Sequence, residues 1–129
     1  MVKVIISADS KYPVDRKRIR KTVESFLKEQ KVDGEIEVSV SVVGERKMKE
    51  LNKKFMGVEG STDVLSFPMS NEKEGGFIEG DKKVLTLGDI VVSWPVAIKQ
   101  ALERKTTVDE EIDFLIKHGI LHLLGIHHD

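Results

Sequence analysis

All four histidines of this 129-residue chain fall in its last twelve residues, HGILHLLGIHHD, at positions 118, 122, 127 and 128. A spacing of four puts His118 and His122 on one face of a helix, where two imidazoles can share a metal ion. Gly125 can adopt the left-handed conformation that ends a helix and turns the chain back. That turn lets a third imidazole approach from the following segment, and His128 is the natural candidate. Zinc is the expected metal, because neutral imidazole suits it and three protein ligands leave a fourth position for water. Nickel or copper would also accept such a cluster. Water held at an open zinc site has its pKa lowered to about 7, which makes the arrangement a hydrolytic centre. Structural zinc usually closes its fourth position with cysteine, and the chain has none. His127 or the carboxylate of Asp129 remains able to close it.

The spacing H-x3-H-x2-G-x2-H is that of the metzincin proteases, with one difference: Gly119 stands where the protease carries its general-base glutamate. A peptidase of that kind needs the carboxylate to take a proton from the metal-bound water, and glycine cannot do so. The bland alternative makes His118 and His122 half-buried helix residues and His127-His128-Asp129 a polar tail. It leaves the turn glycine and the metal-ligand spacing unexplained.

The elements that must position these residues can be read from periodicity. Residues 2–7 (VKVIIS) are β-branched and suit a strand. In 14–30, Ile19, Val23, Phe26 and Leu27 form one apolar stripe, an amphipathic helix. Residues 36–43 (IEVSVSVV) alternate strictly and are the clearest strand. A shorter helix is expected over 44–55, from Met48, Leu51 and Phe55, followed by a turn at 57–60 and a strand in TDVLSF. The Gly-rich stretch 69–83 reads as a mobile loop or irregular hairpin. Residues 84–93 (VLTLGDIVVS) read as a strand in which Gly88 marks a bulge or a close backbone approach. Pro95 suits the first turn of a helix running to about 105. Thr107 and Glu110 form a capping box for a last helix over 108–124, which carries the histidine pair.

No repeat or linker interrupts this order, so a single α/β or α+β domain over 1–129 is expected. The charges nearly cancel, 21 Lys and Arg against 22 Asp and Glu, which leaves any electrostatic patch local. Residues 1–31 hold nine basic against four acidic side chains, a balance of +5. The run Arg16-Lys17-Arg18 with Arg20-Lys21 can contact phosphates, although a solvated helix face is the more common use. Without cysteine, thiolate metal sites, disulfides and cysteine nucleophiles are excluded. No segment approaches the roughly 20 apolar residues of a membrane span, and the N-terminal apolar stretch is too short for a signal peptide. A soluble cytoplasmic protein is expected.

Three stretches then carry a resemblance. HGILHLLGIHH at 118–128 closely resembles the signature H-G-x-L-H-L-x-G-[YF]-D-H of the YbeY family of rRNA maturation factors, bacterial zinc-dependent endoribonucleases. LNKKFMGVEGSTDVLSFP at 51–68 is similar to its L-N-x-x-[YF]-R-x-x-x-x-x-T-D-V-L-S-F-P, and LGDIVVS at 87–93 matches its L-G-D-I-x-I-S. Two positions depart: Met56 stands where the family has arginine, and His127 where it has aspartate.

The resemblance implies an α+β fold with a mixed four-stranded sheet packed with helices and a zincin-like metal-site helix near the C-terminus. It implies one Zn2+ held by His118, His122 and His128. It further implies cleavage of single-stranded RNA in maturation of the 16S rRNA 3′ end and ribosome quality control. The partners are then rRNA and the small ribosomal subunit, with no membrane and no DNA. No residue is assigned as general base. The alternatives are a non-catalytic, zinc-containing RNA-binding module on the ribosome, suggested by Met56, and, further off, a metallopeptidase. Asp89 is a candidate to orient a ligand imidazole. Asp63 and Ser66 are expected to be structural, and Phe55, Phe67, Trp94 and Phe114 to lie in the core.

Overall fold

The computed structural model describes residues 1–69, 76–79 and 82–126, with the backbone alone for 76–79, 82 and 83. The strand at the N-terminus, β1 (Val2–Ala8), is followed by α1 (Arg16–Glu29), β2 (Glu35–Val43) and α2 (Glu45–Leu51). A π-helical turn over Asn52–Met56 extends α2, and β3 (Val64–Pro68), β4 (Gly76–Glu79) and β5 (Lys82–Ser93) come next. Two helices close the order, α3 (Trp94–Arg104) and α4 (Val108–Leu123).

The sheet is mixed and runs β1-β2-β5-β3. Both pairings of β2 are parallel, which is why helices must intervene between its partners, whereas β3 is antiparallel to the C-terminal half of β5. The short β4 pairs antiparallel with the start of β5, so the Gly-rich stretch contains a hairpin, of which residues 70–75 and 80–81 lie outside the described set.

Alternation along β2 decides where the core lies. Ile36, Val38, Val40 and Val42 point to one face and are buried against Ile19, Val23 and Leu27 of α1 and Ile112, Leu115, Ile116 and Ile120 of α4. Each such side chain contributes about 1.5–3 kcal/mol of burial. The other face carries a smaller cluster, Met48 of α2 with Leu65 and Val91. Beside it an open groove of about 530 Å³ is lined by Ser39, Ser41, Phe55, Phe67 and Asp89 among others.

The helix ends follow the sequence signals. Asp15 caps α1 by accepting from the Arg18 N–H at 3.0 Å, and Ser93 caps α3 by accepting from Val96, with Pro95 in the first turn. In α4 the Thr107 hydroxyl accepts from the Glu110 N–H at 3.1 Å, and the Glu110 carboxylate accepts from the Thr107 N–H at 2.9 Å. The helix expected over 44–55 is α-helical only to Leu51. Its last turn widens around Asn52, whose buried side-chain amide donates to the Gly60 carbonyl at 3.0 Å.

Two of the four aromatic side chains expected in the core are not there. Trp94 packs at its margin, stacked on Tyr12, and Phe67 is half-buried, but Phe55 is 56% and Phe114 52% exposed.

Candidate metal centre

What brings α4 to the sheet is the absence of two side chains. A Cβ on Gly119 would lie 2.8 Å from Ile90 Cγ2 and 3.1 Å from Ile90 Cγ1, so the helix backbone rests directly on a β5 side chain. Gly88, at φ +140°, lies against the Phe67 carbonyl and Leu123, where a Cβ would collide with main chain. The space a glutamate would need at position 119 is thus filled by Ile90, which removes the geometric basis for a metzincin-type base.

Seated this way, α4 presents His118 and His122 side by side, their ring centroids 4.5 Å apart and their planes tilted by 56°. Ser66 of β3 faces the pair, with its Oγ 3.5 Å from His122 Nδ1. A contact of this kind at Nδ1 is how a neighbouring hydroxyl orients a ligand imidazole. The helix ends as the sequence suggested: Gly125 takes φ +80°, and its N–H donates to the His122 carbonyl at 3.0 Å. His127, His128 and Asp129 lie outside the described residues. Among the described residues no three histidine or acidic side chains come together. Two adjacent imidazoles on one helix face, one of them in contact with Ser66, fit two positions of a cation's ligand set.

Ser66 is the residue that sequence reasoning undervalued. It pairs with Ile90, so it shares the face of the sheet on which α4 sits. Asp89 does the opposite: exposed beside Val91, it lines the groove on the far face and cannot orient a histidine of α4. Asp63 is structural, as expected. Its Oδ1 accepts from Val64 N–H at 2.8 Å and its Oδ2 from Gln100 of α3 at 3.2 Å, while its carbonyl accepts from Ser93 N–H. That tether fixes where β3, and therefore Ser66, runs.

Charge around the site is local. Arg18 forks onto Asp113 of α4 at 2.8 and 3.0 Å, with Thr22 donating to the same carboxylate. The bond to Asp113 raises the Arg18 pKa above its already high ordinary value. Arg16 donates to the Ile6 carbonyl. Two members of the basic run thus join α1 to its neighbours. Met56 is exposed, Lys53 pairs with Glu59 at 3.6 Å, and Lys54 lies over the Phe55 ring. No helix among the described residues is long and apolar enough to cross a membrane.

A mixed α+β sheet with an H-x-x-x-H helix lodged against its β3–β5 pair defines the class of fold. Comparison with known sequences narrows the class: residues 5–129 match the family described as Endoribonuclease YbeY. The chain belongs to that family of RNA-cleaving hydrolases. It is 38% identical to Endoribonuclease YbeY of Moorella thermoacetica, over 92% of this chain and 78% of the relative. It is also 38% identical to that of Caldicellulosiruptor saccharolyticus, over 98% of this chain and 85% of the relative. Among solved structures it resembles TM1509 from Thermotoga maritima, with a TM-score of 0.62 and 29% identity over 98% of this chain and 75% of the other.

Proposed function

We propose that this chain is a metal-dependent endoribonuclease that cleaves single-stranded RNA, acting in the cytoplasm on the 16S rRNA 3′ end and in ribosome quality control. The observation that carries the reading is the His118–His122 pair with Ser66 at its Nδ1, in a chain of an endoribonuclease family. His118, His122 and His128 hold one Zn2+, with Ni2+ the nearest substitute by ligand chemistry. A divalent ion bound there supplies Lewis acidity at the phosphodiester and a water ionised near neutral pH. The chain's own part is to hold the two imidazoles side by side on α4, with Ser66 against His122. Its partners are rRNA and the small ribosomal subunit; DNA and membranes are not among them. The filled position at Gly119 speaks against peptidase activity.

The test is metal analysis and RNA cleavage on the same preparations. One equivalent of metal is expected in the parent protein and a loss in each of His118→Ala, His122→Ala and His128→Ala. A metal-loaded parent should cleave single-stranded RNA well above the His118→Ala background. A parent that binds zinc but leaves RNA intact, and gains cleavage on Met56→Arg, would replace this reading with the non-catalytic ribosome-associated module, which the exposed Met56 favours.

A further inference from the structure

Phe114 precedes His118 by four residues, so it occupies the next turn of the same face of α4, about 6 Å along the helix axis. It is a large apolar ring at a helix surface, 52% exposed, where the core has no use for it. The Arg104 guanidinium lies over it, 5.3 Å from the ring centroid. Arg104 is not a loose surface cation. It donates to Glu111 Oε1 at 3.2 Å, and Glu111 is buried and accepts at its other oxygen from Thr106 at 2.6 Å. A flat aromatic surface and a fixed guanidinium therefore stand together one helical turn from the histidine pair.

Single-stranded RNA offers splayed bases with π-faces and a phosphate backbone. Proteins that bind it regardless of sequence combine aromatic platforms with arginine. We infer that Phe114 and Arg104 form the binding platform for a nucleotide flanking the scissile phosphodiester. Its base stacks on the phenyl ring, while the guanidinium contributes its π-facing charge and faces the phosphates. Because every base has a π-face, the platform positions the strand without reading its sequence. The inference rests on the reading of His118 and His122 as the cleavage site, and it makes Phe114 a substrate-positioning residue rather than one that touches reacting atoms.

The experiment uses the full chain loaded with zinc and a single-stranded oligoribonucleotide carrying 2-aminopurine, so that stacking and cleavage are read separately. Phe114→Leu should lower kcat/KM about tenfold, with the loss carried by KM, and should abolish most of the 2-aminopurine quenching. Phe114→Trp should retain both signals. Leu102→Ala, an exposed apolar truncation on α3, should move neither, and thermal midpoints should agree across the set. Cleavage by Phe114→Leu with parental KM overturns the platform and leaves the nuclease reading standing. Binding without cleavage by the parent, weakened by Phe114→Leu, supports the platform and overturns the nuclease reading. Quenching unchanged by Phe114→Leu overturns the platform whatever the cleavage result, and points to this ring as a protein-docking contact instead.

Discussion

A Cβ added at Gly119 meets Ile90 at 2.8, 3.1 and 3.3 Å, all on one buried side chain of a central strand. Alanine is favoured over glycine in a helix interior by about 1 kcal/mol. Overpacking a filled core costs about 1–3 kcal/mol, and Ile90 is fully buried. Gly119→Ala is therefore expected to lower stability by about 1 kcal/mol net, measured by chemical denaturation. In the double variant with Ile90→Ala the two costs should sum to less than their separate values; strict additivity would mean that the contact is not what seats the helix. The same scale shows where sequence reading stopped. The histidine pair and its turn glycine were legible from spacing alone, but Asp89 was placed on the wrong face. Alternation from Leu85 through Leu87 would carry Asp89 inward; the register shift between Thr86 and Gly88 reverses the parity, so that Ile90 and Val92 face the core instead. Gly88 announced an irregularity, but not its effect on the residues after it. Ser66 was read as structural because only its pairing with Ile90 assigns it to the histidine side.

Among the elements, α4 depends most on its first turn. Thr107 and Glu110 satisfy two otherwise unpaired N–H groups, and Asp109, Glu110 and Glu111 place negative charge at the positive end of the helix. Thr107→Ala should cost about 1 kcal/mol at neutral pH in equilibrium denaturation. The backbone bond from Thr107 is the main cause that holds the Glu110 carboxyl below its ordinary value of 4.5, with the Thr107 side chain assisting. The sign follows: a lowered folded-state value makes the contribution complete above the ordinary carboxylate range and loses it as pH falls through the depressed value. The stability advantage of the parent over Glu110→Gln should therefore shrink on acidification, and an advantage that grows toward acid pH would contradict the capping geometry. The other helices show how far periodicity reaches. The stripe of Ile19, Val23 and Leu27 gave α1, whereas the widening of α2 at Asn52 depends on a bond to Gly60 that no local pattern announces.

At the scale of the whole molecule, strand and helix order was readable because β2 alternates without a fault and both α3 and α4 carry side-chain caps. The exposed Phe55 and Phe114 were not readable, since helical spacing alone does not say which face a neighbour covers. If His118, His122 and His128 share one ion, binding should stabilise the entire fold by mass action, about 2.7 kcal/mol at a free metal concentration 100 times Kd. The thermal midpoint of the metal-free protein should rise on adding zinc and stay fixed in His118→Ala; an equal rise in both would place the ion elsewhere.

The strand beside the histidines also bounds the sheet. β3 is only five residues long and closes on Pro68, which has no N–H to offer. A protease that grips an extended peptide by adding it to a sheet margin relies on a run of unpaired amides and carbonyls, and Pro68 takes one amide out of that run. An RNA strand asks for no such ladder, since its charged backbone and bases are held by side chains. The short margin of the sheet beside the histidines thus offers a polypeptide few main-chain partners, before any question of which groups perform the hydrolysis.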